Sequence, residues 1–257
     1  MAFSNNPYGQ NQNPYGGQQP QELFPSLWSN PEDLQRATSS CLARVFMRMF
    51  AGLLVTAAVS FGIYQTPGAM EYLMTNPMLT MGMIIAQLVV VIILSFRVMK
   101  MSPAISNVMF FIYAILTGVT LSFIFISYEL GTIFQAFAIA ALMFAAMSIY
   151  GTITHRDLTG LGSICFMGLI GIIIVSIIGM FTGFSDTTLL IINYVAVLIF
   201  LGLTAYHTQR IKNMLAEANA ANQEEAIKKI SVYGALALYL SFINLFLRIL
   251  AILGRRR

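Results

Sequence analysis

Charge is what this sequence has least of: 14 basic and 10 acidic side chains make up 9% of its 257 residues, against about a quarter in soluble globular domains. So few charges cannot cover the surface of a water-soluble protein of this size. Their spacing is as telling as their number, because between Arg48 and Arg248 they leave seven uncharged runs, 49–70, 72–96, 101–128, 130–154, 158–185, 187–206 and 230–247. Each run is near or above the roughly 20 residues that a helix needs to cross about 30 Å of hydrocarbon. None alternates polar and apolar residues as the strands of an outer-membrane barrel do. The expected fold class is an all-α integral membrane protein, a seven-transmembrane-helix bundle.

Other absences narrow the function. The first 40 residues hold no apolar core behind a basic start, which predicts insertion through the first span rather than a cleaved signal peptide. Cysteine occurs twice, at Cys41 and inside the fifth run at Cys165, and this predicts no disulfide. HExxH, CxxC and P-loop patterns are missing, so neither a metal nor a cofactor is expected. The last run has no lysine for a retinal Schiff base. An intramembrane serine protease would need a poised serine and histidine, for which Ser163 and His207 supply only the residue types. The chain is therefore read as a non-enzyme that binds no nucleic acid.

Residues 1–30 are rich in Asn, Gln, Pro, Gly and Tyr, with Asn-Pro-Tyr-Gly at Asn6–Gly9 and again at Asn13–Gly16. Such a composition cannot bury a core and predicts a disordered tail. Residues 31–48 read as an amphipathic lead-in helix on the membrane surface, anchored by Arg44 and Arg48, and 49–257 as the membrane domain. The tail and the second, fourth and sixth connections carry ten of the fourteen basic residues, which predicts a cytoplasmic N-terminus. Seven spans, however, put Arg255, Arg256 and Arg257 on the opposite side. Charge favours a re-entrant last run and parity a full seventh span; its 18 residues favour the span. In the fifth run, Gly179 and Gly183 form a GxxxG pair, which either brings helix backbones close or reflects the ordinary frequency of glycine in membrane helices.

Ionisable groups within spans are expensive and mark function, and no Asp or Glu lies inside any of the seven runs. The candidates are Arg97 at the end of the second run, His207 just beyond the sixth and Arg248 just beyond the last. Gln87, Asn193 and Asn244 are the polar intramembrane candidates, with interhelical hydrogen bonding as their simplest role.

Five segments carry a family resemblance: Phe96-Arg97-Val98-Met99-Lys100-Met101-Ser102; Tyr113 through Gly118 to Ser122; Tyr150-Gly151 with His155-Arg156-Asp157-Leu158; Leu203-Thr204-Ala205-Tyr206-His207-Thr208-Gln209; and Leu238-Tyr239-Leu240-Ser241-Phe242-Ile243-Asn244-Leu245-Phe246. In order and spacing they resemble the Bax inhibitor-one family, the transmembrane Bax inhibitor motif proteins with their bacterial YccA-type members, from about Arg44 onward. The resemblance implies a bundle with its last helix near the centre, in a bacterial inner membrane. For some members it implies a pH-sensitive Ca²⁺ leak, and for others restraint of partners such as a membrane-bound protease.

The family's leak rests on two aspartates, in a Tyr-Asp-Thr-Gln and a Leu-Asp-Phe-Ile-Asn motif. This sequence has His207 and Ser241 at those positions. Two close carboxylates share a proton and make a proton-controlled cation site; a histidine and a serine do not. With Arg97 beside them, as the resemblance implies, the local charge changes from about −1 to about +1 with neutral His207. Acid would still add charge by protonating His207. A Ca²⁺ site, which wants several oxygen ligands, would not survive. His207, Ser241 and Arg97 are thus the gating and pH-sensing candidates. One of two functions is expected: a leak channel for Ca²⁺ or another ion with weak or altered conductance, or a non-conducting regulator that binds a membrane partner. Level with Val232 on the last helix, His207 would sit nine residues from Ser241, about 13 Å along the axis.

Overall fold

The computed structural model describes residues 31–254 as nine helices in chain order: α1 (Pro31–Gln65), α2 (Ala69–Thr75), α3 (Pro77–Arg97), α4 (Pro103–Leu121), α5 (Ile124–Ser127), α6 (Leu130–Ile153), α7 (Thr159–Thr182), α8 (Asp186–Ala220) and α9 (Glu224–Leu253). The tail 1–30 and Arg255, Arg256 and Arg257 lie outside the described residues. Seven of the helices, α1, α3, α4 continued by α5, α6, α7, α8 and α9, are long and apolar enough to cross a membrane. The all-α membrane bundle expected from the uncharged runs is what forms.

Several helix ends follow from local chemistry. Proline opens α3 and α4, where its missing N–H is no loss and its fixed φ suits a first turn. Ser102 and Ser185 accept hydrogen bonds from the third N–H beyond them, that of Ile105 and of Thr188, satisfying donors that the first turn leaves free. Gly183 closes α7 at φ +73°, its N–H donating to the Gly179 carbonyl. The Gly179/Gly183 pair therefore ends a helix instead of packing one on another, because a residue with positive φ cannot continue a right-handed helix. Phe184 folds back over Gly179.

The close helix approaches lie at other glycines. Gly151 of α6 faces the Ala205 backbone of α8, and a Cβ added to Gly118 of α4 would lie 2.8 Å from the Thr56 carbonyl oxygen of α1. On α7, Gly162, Cys165 and Gly168 meet Tyr206, Gly202 and Ile199 of α8, antiparallel in register. Contacts of Gly52 with Phe110 and of Gly118 with Thr56 and Val59 run in the same direction along α1 and α4, which are parallel.

Burial is unequal, as expected where lipid is as apolar as leucine and side chains facing it cost nothing. Only 6% of the most apolar window of α3 is buried, against 50% for α9. Helix α9 packs on α1, α4, α6 and α8. Its Tyr239 is fully buried, edge-on to Phe110 and Tyr113. The Thr56 hydroxyl donates to the Ala114 carbonyl at 2.9 Å, which leaves the Tyr239 hydroxyl to donate to Thr56 Oγ1 at 2.6 Å.

The two ends of the bundle are identified by contacts. Cys41 of α1 lies beside Asn219 of α8, and Lys212 of α8 reaches Thr152 of α6. At the other end Tyr128, Asp186 and Gly254 line one cavity. Helix α9 thus runs the full length of the bundle from Glu224 to Leu253, a complete seventh helix with no re-entrant turn. Residues 31–48 are the first half of α1, which continues unbroken to Gln65. Both cysteines are free and buried.

Candidate functional site: a polar cavity beside the last helix

A cavity of about 640 Å³ opens among α3, α7, α8 and α9. His207 and Ser241 both line it, as does Asn244. Along α9 the lining runs from Tyr233 to Asn244, about 16 Å at 1.5 Å per residue. The expected nine-residue offset is not what forms: Gly234 of α9 faces Ile211 of α8, which brings His207 to within about a turn of Ser241 along the axis, so one cavity holds both.

The polar atoms on α9 are partly committed to their own helix. Ser241 Oγ donates to the Ala237 carbonyl at 3.0 Å, and Asn244 Nδ2 to the Leu240 carbonyl at 2.8 Å. Bonds of this kind satisfy the donor and leave acceptor oxygens over. On α8, His207 is half-buried with its ring 5.4 Å from that of Tyr206. Ser163 of α7 also lines the cavity, but no hydrogen bond joins it to His207 among the described residues.

Arg97 is not among the lining residues; it ends α3 exposed, and α3 contributes Ser95. The arginine of the cavity is Arg210, whose guanidinium lies 6.0 Å from the ring centroids of both Tyr206 and Tyr233 and donates to the Tyr206 hydroxyl at 3.3 Å. The exposed guanidinium thus lies beside two tyrosine rings, at the outer limit of cation–π distance. No Asp or Glu lines the cavity. Among the described residues no group of three or more His, Cys, Asp and Glu could hold a metal ion.

The remaining candidates lie elsewhere. Gln87 bridges α3 to α4, donating to Thr117 Oγ1 at 3.2 Å and accepting from Thr120 at 3.0 Å. Asn193 accepts from Arg248 at 3.2 Å, so the half-buried arginine of α9 has an interhelical partner on α8. Gln209 is a positioning residue that sequence reasoning missed. Its Oε1 accepts from the Leu158 N–H at 2.9 Å and its Nε2 donates to the Arg156 carbonyl at 2.8 Å, tying the α6–α7 connection to α8. Two of the five segments quoted for the resemblance, 155–158 and 203–209, are thereby in contact.

A sequence model described as "Inhibitor of apoptosis-promoting Bax1" matches residues 38–257, most of the chain. The chain belongs to the Bax inhibitor family. It is similar to the inner membrane protein YbhL of Escherichia coli K12, 44% identical over 216 residues that cover 84% of this chain and 92% of the relative. A protein of Borreliella burgdorferi is 41% identical over 216 residues, with the same coverage of each chain. A membrane protein of Streptococcus pyogenes serotype M3 is 38% identical over 215 residues, covering 83% of this chain and 91% of the relative. This is an integral, multi-pass membrane protein.

Proposed function

We propose that the chain is a Bax inhibitor-type bundle of the leak-channel kind whose Ca²⁺ conductance is weak or absent because His207 and Ser241 stand where the leak needs a carboxylate pair. One observation carries this reading: the cavity that holds both residues has no acidic side chain in its lining and has an arginine, Arg210. A divalent cation entering it would shed water without gaining carboxylate ligands, and would meet positive charge. Protonation of His207 adds a second positive charge. Acid therefore lowers cation passage, and the pH response is a closing one. Ca²⁺ flux in liposomes, compared with His207→Asp/Ser241→Asp, tests the reading.

The same acid-free lining supports a second reading, a non-conducting regulator that acts by binding a membrane partner. Crosslinking in native membranes with and without residues 1–30 distinguishes it, and absence of a specific partner in both cases would count against it. Neither reading calls on catalysis by this chain. Its N-terminal side faces the cytoplasm of a bacterial inner membrane. The excess of basic residues on that side supports this, as does the inner membrane location in the name of the E. coli relative.

A further inference from the structure

A second cavity, of about 480 Å³, lies at the end of the bundle where α1, α6 and α8 meet the α6–α7 connection. Its polar lining is rich in donors: Thr38 and Ser39 hydroxyls and the Gln35 amide from α1, His155 from the connection, and Lys212 from α8. No Asp or Glu lines it.

Two observations set this lining apart. Thr38 is 5% exposed and its hydroxyl has no hydrogen-bond partner among the described residues. The helical hydroxyls of Thr204, Thr208, Ser231 and Ser241 donate to the carbonyl four residues back; those of Thr38, Ser60 and Ser148 have no partner among the described residues, and of these three Thr38 is the one that lines a cavity with a lysine. A buried hydroxyl left unpaired is costly enough to be rare. Lys212, half-buried, is held in place by one donation from Nζ to the Thr152 carbonyl at 2.7 Å. An ammonium carries three N–H groups, so two remain for something else.

We propose that this cavity binds a phosphate group. A fixed cation, an unpaired buried hydroxyl and neighbouring neutral donors call for an anion with several acceptor oxygens, and phosphate offers them around one tetrahedral centre. The apolar part of the lining, Leu34, Leu42 and Ile153, suits the glycerol and upper acyl carbons of a phospholipid. The lipid headgroup and free phosphate share the same recognition chemistry, and the test separates them.

The full-length protein, purified in a phosphate-free maltoside detergent, is melted with increasing phosphatidylglycerol, with diacylglycerol, with inorganic phosphate, and with sodium chloride at matched ionic strength. Wild type, Thr38→Val and Lys212→Met are compared, each first shown by its unliganded midpoint to be folded. The expected result is a saturable rise in the wild-type midpoint with phosphatidylglycerol and none with diacylglycerol or salt. The rise should be at least halved in Thr38→Val and lost in Lys212→Met. An equal, variant-sensitive rise with inorganic phosphate would make the ligand a soluble one at the same site. No rise with either phosphate source, or rises that both variants share with wild type, would overturn the proposal.

Discussion

The Tyr239 hydroxyl of α9 lies 2.6 Å from Thr56 Oγ1 of α1, and the same threonine donates to the Ala114 carbonyl of α4. Three spans are joined by two hydrogen bonds inside an apolar core. Thr56→Val leaves a buried tyrosine hydroxyl without that acceptor and is expected to cost about 1–3 kcal/mol, whereas Tyr239→Phe removes one bond and should cost about 1 kcal/mol. Unfolding in mixed micelles checks both. A double-variant cycle should show coupling between the two sites.

Gly151→Ala should be among the most damaging single-methyl changes. An added Cβ would run into the Ala205 backbone of α8, which cannot rotate away as a side chain can. A loss of about 1–3 kcal/mol is expected from the forced separation. Gly131→Ala, where a Cβ meets nothing within 4 Å, is the control and should leave the melting midpoint equal to or slightly above that of the wild type.

Gln209→Leu should loosen the α6–α7 connection while leaving the spans in place. The substitution removes the acceptor for the Leu158 N–H and the donor for the Arg156 carbonyl. Amide exchange at Leu158 should quicken, and proteolysis at residues 154–158 should become faster. Unchanged exchange there would contradict the anchoring role.

The start of α7 should respond to acid. Hydrogen bonds from the Thr159 hydroxyl and N–H hold the Asp157 carboxyl below the ordinary carboxylate range. A depressed folded value means that the contribution is present above about pH 4, the ordinary aspartate value, and is lost as pH falls through the lowered one. Protection of the Thr159 amide, corrected for intrinsic exchange, should therefore fall in that acid window for the wild type. In Asp157→Asn it should be independent of pH there.

Much of this molecule could be read from where charges are missing. Seven uncharged runs became seven spanning helices because lipid tolerates no unpaired backbone polar group and few ions, so the pattern leaves little choice. The stretch 31–48, expected as a lead-in helix, is helical, and it continues without a break into the first span as α1, because backbone hydrogen bonding does not stop at the charged side chains of Arg44 and Arg48. The glycine pair in the fifth run closes a helix for a conformational reason, a positive φ at Gly183, that leaves no trace in spacing. At the site, His207, Ser241 and Asn244 share one cavity, whereas Arg97 does not reach it and Arg210 does. Position within a span fixes depth but not the direction around the helix axis in which a neighbour lies. Gln209 was visible in the sequence, yet its partners are backbone groups of a connection about fifty residues away, which no residue type announces.

Ca²⁺ entry into liposomes tests the central claim most directly, with wild type, His207→Asp/Ser241→Asp and protein-free vesicles compared at neutral pH. The account predicts wild-type flux close to that of empty vesicles and a clear gain in the double variant, whose two carboxylates would reverse the sign of the cavity. Robust wild-type flux equal to that of the double variant would contradict it.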